Sequence, residues 1–185
     1  MDEFHFVTEV IENSPKLMEL LLDVRKVNLP QGCIAAGAIR NSVWQALHGQ
    51  KIVLDSDVDV VFFDENADIK ESKIIENELS ILNPAVNWQV KNEEYMADYD
   101  FPGVPKFTSV EDAISNFVET PTSVAAYLSH DSQIKLIAPY GLDDLVNMVV
   151  KPVPRFSEGK WRDVYLNRMR QKQWLTKWPN LTIER

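Results

Sequence analysis

Two aspartates one residue apart, Asp57 and Asp59, head the run Asp57-Val58-Asp59-Val60-Val61-Phe62-Phe63, which is rich in β-branched and aromatic residues. A run so short and apolar reads as a strand. Side chains alternate along a strand, so Asp57 and Asp59 share one face while Val58, Val60 and Phe62 turn to the core. Carboxylates held side by side raise each other's pKa, and a cation relieves that repulsion. Hard oxygen ligands select Mg²⁺ or Mn²⁺. An Asp-x-Asp pair also occurs on exposed edges of acidic proteins, but the apolar continuation through Phe63 argues for a central strand.

A second constellation lies upstream. Cys33 to Ala36 reads as a short strand, and Ile39, Val43, Ala46 and Leu47 fall on one helical face before Gly49 stops the helix. Gly37 stands at the junction, where free backbone N–H groups and the positive end of the helix dipole can hold a phosphate. Arg40 and Asn41 emerge from the first turn, and a guanidinium can grip phosphate bidentately. An ordinary glycine turn with a solvated arginine is the plainer alternative. Arg168 and Lys172, one turn apart near the C-terminus, suit either a leaving pyrophosphate or the acidic body of the protein.

The elements that must position these groups alternate along the chain. Helices are expected in residues 1–30, with Leu17, Leu20, Leu21 and Val24 at helical spacing after Pro15. Beyond the Asp57 strand come a polar helix over 70–82 and a strand at Trp88-Gln89-Val90-Lys91. A long loop over 95–106, expected to be mobile or ligand-facing, follows. Next are a helix over 110–118, a hairpin of strands 123–128 and 134–138 around His130-Asp131-Ser132, and a helix over 142–149 whose Asp143 and Asp144 suit a helix start. One basic helix over 160–177 ends at Trp178-Pro179. This order predicts an α/β (α+β) fold, a mixed central sheet flanked by helices. It is read as one domain over 1–185, with helices in 1–30, a core over about 31–150 and a basic C-terminal helix within about 155–178.

Composition narrows the chemistry. With 185 residues and 45% hydrophobic content, the chain can bury a core without staples. Cys33 is the single cysteine, which excludes an internal disulfide and suits a buried position in a reducing compartment. No apolar run approaches a membrane span and no secretory leader opens the chain, so a cytoplasmic protein without membrane attachment is expected. A net charge of −9 argues against general nucleic-acid binding. That charge is uneven: residues 151–185 sum to +6 and residues 1–150 to −15.

A glycine at a helix start followed by a strand bearing two spaced acids resembles the DNA polymerase beta-like nucleotidyltransferases. The sequence more closely resembles a little-characterised bacterial nucleotidyltransferase-like family. The resemblance rests on Ala36-Gly37-Ala38-Ile39-Arg40-Asn41, Leu47-His48-Gly49, Ser56-Asp57-Val58-Asp59-Val60-Val61, Trp88-Gln89-Val90-Lys91-Asn92, Glu119-Thr120, Ala138-Pro139-Tyr140-Gly141-Leu142-Asp143-Asp144-Leu145, Arg168, Lys172, Trp174 and Trp178-Pro179. It covers most of the chain beyond about residue 30. Two departures stand out: Ala38 replaces a customary serine, and Glu93-Glu94-Tyr95-Met96-Ala97 replaces a segment that carries an arginine and a histidine.

The resemblance implies metal-dependent transfer of a nucleoside monophosphate from a nucleoside triphosphate (NTP) to an acceptor, expected to be a small molecule. Asp57 and Asp59 would be catalytic and metal-binding, with Mg²⁺ or Mn²⁺ as cofactor. Glu119 would be the third catalytic carboxylate, with Asp112 and the Glu93-Glu94 pair as other candidates, and Gly37, Arg40, Asn41, Arg168 and Lys172 would bind nucleotide. Two alternatives stand beside this reading. One is a degenerate module that binds nucleotide or a partner without turnover. The other is a haloacid dehalogenase-type phosphatase using Asp55 as nucleophile, although the strand signal begins only at Asp57.

Overall fold

A computed structural model of the protein describes residues 2–97 and 103–185. The chain starts with two helices, α1 (Glu3–Glu12) and α2 (Pro15–Lys26). Each is capped as its sequence dictates: Asp2 accepts from the Phe4 and His5 N–H groups, and Ser14 accepts from Leu17 N–H just ahead of Pro15. Then come β1 (Cys33–Ala35), α3 (Gly37–Leu47), β2 (Val58–Phe62), α4 (Glu71–Leu82) and β3 (Trp88–Asn92). The second half holds α5 (Val110–Ser115), β4 (Ala125–Leu128), β5 (Ile134–Ile137), α6 (Asp143–Val146) and β6 (Val149–Val150). It closes with α7 (Gly159–Lys172), α8 (Trp174–Lys177) and β7 (Thr182–Ile183).

Five strands form one mixed sheet in the order β3-β2-β1-β4-β5. β2 and β3 run parallel, and the other neighbours are antiparallel. Alternation gives the sheet two buried faces. Ile34, Val58, Val60 and Phe62 face one core with α1, α2 and α3. Cys33, Ala35, Val61 and Ala125 face a second, smaller core closed by Phe107, Val110, Ala113 and Ile114. The acidic pair belongs to the second face, and the register Ala35 to Asp59 sets it beside the junction between β1 and α3.

The architecture is the expected mixed sheet covered by helices; the helix expected over 110–118 ends at Ser115 and the strand expected over 123–128 begins at Ala125, and three further differences concern the elements around the site. The strand begins at Val58, so Asp57 immediately precedes it, held in line by the hydrogen bond from Val58 N–H to the Asn87 carbonyl. The helix expected over 142–149 spans only Asp143–Val146, since Met148 takes φ 57°. No side chain caps it, and Asp144 instead accepts from Thr120 Oγ1 and Lys151 Nζ.

The third difference matters for the site. The basic helix expected over 160–177 breaks at Gln173, which adopts φ 47°, ψ 34° and separates α7 from α8. Burial of two indoles explains the break: Trp174 and Trp178 pack edge-on against Trp44 of α3, at centroid distances of 5.5 and 5.9 Å. A straight helix would leave large aromatic surface in water. Of the loop expected over 95–106, residues 98–102 lie outside the described residues.

Candidate active site

Parallel pairing aligns Asp59 with Gln89 and Val61 with Lys91, so side chains of β3 stand next to the acids of β2. The Gln89 amide donates to Asp57 Oδ2 at 2.6 Å, and the Asn87 amide donates to Asp57 Oδ1. Lys91 Nζ lies 3.9 Å from Asp59 Oδ1. Burial raises the Asp59 pKa above the ordinary carboxylate range; Lys91 counteracts this and Asp57 adds to it. Asp57 is thus oriented by two amides and Asp59 is partly desolvated, an arrangement that favours a counter-cation.

These acids open into a cavity of about 510 Å³. Asp57, Asp59, Lys91, Glu93, Arg168 and Lys172 form its charged part, with the Gln89 amide beside them, while Val61, Met96, Phe107 and Phe117 form an apolar wall. α7 delivers the two cations from the far end of the sequence. Its anchor is Tyr165, fully buried, whose hydroxyl donates to the Val150 and Glu184 carbonyls at 3.2 and 2.5 Å. Lys172 is held below the ordinary lysine pKa, first by burial and then by Arg168 and Arg40. The size suits a nucleotide-sized ligand, since small-molecule sites range over roughly 300–1,000 Å³.

The other expected site residues sit behind this cavity. Arg40 is 5% exposed and donates to Asn41 Oδ1 from Nε and Nη2 and to Thr122 Oγ1 from Nη1. Its guanidinium also lies 4.5 Å from the Trp174 ring centroid and 5.2 Å from that of Trp44. Burial lowers its pKa to about 10, against the opposing effect of Glu119. Asn41 is thus committed to Arg40. Gly37 is the first residue of α3, and the strained backbone of the junction falls one residue earlier: Ala36 has φ 53°, ψ −115° and lines the cavity.

Glu119 is completely buried and paired with Arg168 Nε, and it is not part of the cavity wall. Of the other acidic candidates, Glu93 lines the cavity, Glu94 pairs with Lys106, and Asp112 accepts from Thr108 at the start of α5. Asp55 is exposed and paired with Lys177 at 3.0 Å, outside the cavity. His48 bonds the Trp44 carbonyl through Nδ1 and packs on Trp178, as a core contact.

Asn87, Gln89, Lys91 and Thr122 received no site role from the sequence. Alternation within Trp88–Asn92 put Gln89 and Lys91 on one face, but only the parallel pairing of β2 with β3 shows which carboxylates they meet.

Asp57 and Asp59 fit a divalent metal by the chemistry of their donors: two hard, partly buried carboxylates at a strand end, with open cavity for further oxygen ligands. Among the described residues no cluster of three or more His, Cys, Asp or Glu side chains is placed to hold a metal ion, so substrate and water oxygens would have to complete the shell.

Comparison with known proteins bears on this geometry. A nucleotidyltransferase family model matches residues 23–183. A solution NMR structure described as a CCA-adding enzyme head domain is 33% identical, superposes with a TM-score of 0.87, and is matched over 96% of this chain and 94% of that one. A CCA-adding enzyme in complex with CTP (TM-score 0.61) and the Thermotoga maritima CCA-adding enzyme complexed with tRNA (0.60) are each 15% identical. All of this chain aligns to them, yet it spans only 44% and 43% of their lengths, so they share the fold alone. No curated protein matches. Since the family model covers most of the sequence and the head domain is matched nearly end to end, the chain belongs to the nucleotidyltransferase family.

Proposed function

We propose that this protein transfers a nucleoside monophosphate from an NTP to an acceptor hydroxyl with the help of a divalent cation. The observation that carries the reading is the meeting, in one cavity, of the acidic pair from β2 with Arg168 and Lys172 from α7. Asp57 and Asp59 would hold Mg²⁺ or Mn²⁺, which when bound neutralises phosphate charge and makes an attacking oxygen more acidic. Gln89 and Asn87 fix the orientation of Asp57. Arg168 and Lys172 supply positive charge against the phosphates, the electrostatic support on which phosphoryl chemistry depends. The Val61, Phe107 and Phe117 wall excludes water and offers apolar surface to the nucleoside. At the junction of β1 and α3, Gly37 and its backbone N–H groups receive a phosphate, backed by Arg40 and Asn41.

The acceptor is a small molecule in this reading, because a net charge of −9 disfavours general binding to a polyanion. The tRNA complex belongs to a relative more than twice as long, and RNA is therefore the acceptor to test against. An NTP donor and a buried free thiol fit a cytoplasmic setting. No helix among the described residues is long and apolar enough to cross a membrane.

Incubation with each labelled NTP, Mg²⁺ or Mn²⁺, and either a metabolite extract or total RNA should yield labelled product from the metabolite arm. The Asp57→Asn, Asp59→Asn double variant should yield none. Nucleotide binding with no product in any arm would favour the non-catalytic module, and product from the double variant would remove the acids from the site.

A further inference from the structure

One short turn holds two arginines that come from different helices. Residues Thr120–Thr122 form a 3₁₀ turn preceded by Glu119, and the Thr122 and Ser123 N–H groups close it on the Glu119 carbonyl at 3.0 and 3.1 Å. At one end the Glu119 carboxylate pairs with Arg168 of α7. At the other, Thr122 Oγ1 accepts from Arg40 of α3 at 2.8 Å. The turn is itself fastened to the body: Thr120 N–H donates to the Lys151 carbonyl at 2.9 Å, Thr120 Oγ1 donates to Asp144 at 2.8 Å, and Glu119 bridges to Pro152.

The charges around Glu119 decide what it can do. Arg168 and Glu119 both act on Arg40 and on Lys172, with the Asp59 carboxylate as a second and weaker anion, and Glu119 is the one of the two with no exposure. Its Oε2 has no hydrogen-bond partner among the described residues, yet a metal ion bound there would be one more positive charge inside a group of three. The metal-favouring environment lies instead at Asp57 and Asp59, which line the cavity where Glu119 does not. Arg168, two-thirds buried, has one foot in each place: it lines the cavity and is gripped from behind by a carboxylate of zero exposure.

The geometry points to Glu119 as a positioning residue, which sets the Arg168 guanidinium toward the phosphates of the substrate and takes no part in holding the metal. This inference rests on the proposed nucleotidyl transfer and assigns the buried carboxylate a place within it. Without Glu119, Arg168 loses its fixed direction; the positive charge left uncompensated favours anions in general, and it is the loss of direction that lowers the fit to the phosphates. Nucleotide phosphates should then bind less well while the acidic pair stays intact.

The test measures two ligands without turnover: Mn²⁺ alone, and inorganic tripolyphosphate with Mn²⁺, which carries the phosphates and no base. Glu119→Gln should bind Mn²⁺ within about twofold of wild type and tripolyphosphate about tenfold or more weakly, the range seen when a residue orienting a ligand group is lost. Arg168→Gln should lose a similar factor, and the double variant should bind no worse than either single change, since the two act as one unit. Glu119→Asp, which keeps the charge but withdraws it, should show the same split and covers the case in which the glutamine variant does not fold. Loss of Mn²⁺ binding in Glu119→Gln comparable to that in Asp59→Asn, or additive losses in the double variant, would overturn the inference. Wild-type protein that binds Mn²⁺ but not tripolyphosphate would instead overturn the functional reading on which it rests.

Discussion

The Gln89 side-chain amide reaches Asp57 Oδ2 at 2.6 Å, although the backbone register pairs Gln89 with Asp59. The amide therefore leans two residues back along the neighbouring strand and, with Asn87, spans both oxygens of the carboxylate that lies just outside β2. An oriented donor of this kind fixes which oxygen lone pairs stay available to a cation. Gln89→Ala should weaken Mn²⁺ binding by about 10- to 100-fold with little change in melting temperature, because the residue is part-buried at a cavity edge. Titration of the metal in parallel with a thermal scan checks both halves.

Gly37 has ordinary helical backbone, and a Cβ added there would meet only Arg40 Nη2 at 3.7 Å and Asn41 Nδ2 at 3.9 Å. Neither contact is a clash, so the fold does not need the glycine. If the first turn of α3 receives a phosphate, bulk at this position should matter only to the ligand. Gly37→Val is expected to fold and to lose tripolyphosphate binding by calorimetry. Unchanged affinity in the folded variant would remove the helix start from the site.

Asp55 and Lys177 form an ion pair in which both side chains are about half exposed, 53% and 47%. Such pairs contribute roughly 0–1 kcal/mol, so Asp55→Asn should barely move the stability. It should also retain metal-dependent transfer, because Asp55 lies outside the cavity. Mass spectrometry showing a phosphoaspartate at Asp55 would instead favour the phosphatase chemistry.

Cys33 sits in β1 with no exposure, and burial, assisted by the Glu93 charge, pushes its thiol far above the ordinary range. The thiolate is the reactive form, so the native protein should not react with a chromogenic disulfide reagent at neutral pH. One thiol per chain should appear on unfolding in urea. Rapid labelling of the folded protein would contradict the packing of the second core.

Much of this protein is written locally. Ser14-Pro15 starts α2 because a hydroxyl acceptor and a fixed φ suit a helix start, and Val58-Asp59-Val60-Val61-Phe62 makes a strand because alternation supplies a core for each face. That same alternation put Asp57 and Asp59 on one side before any fold was known. Local signals failed where distant residues compete for a position. Nothing near Gln173 demands a left-handed residue; the break follows from the burial of Trp174 and Trp178 against Trp44, about 130 residues away in sequence. The first turn of a helix is usually solvated and suggests an exposed Arg40, but Thr122, Asn41 and two tryptophans enclose it. Glu119 takes a catalytic role only from the family resemblance. Only the tertiary structure shows that α7 lays Arg168 across it. The sequence by itself determined which groups could do chemistry, since side-chain type and strand periodicity are local properties. Which of them share a cavity was decided by the parallel pairing of β2 with β3 and the docking of the C-terminal helices on α3, because both depend on surface buried between segments far apart in the chain.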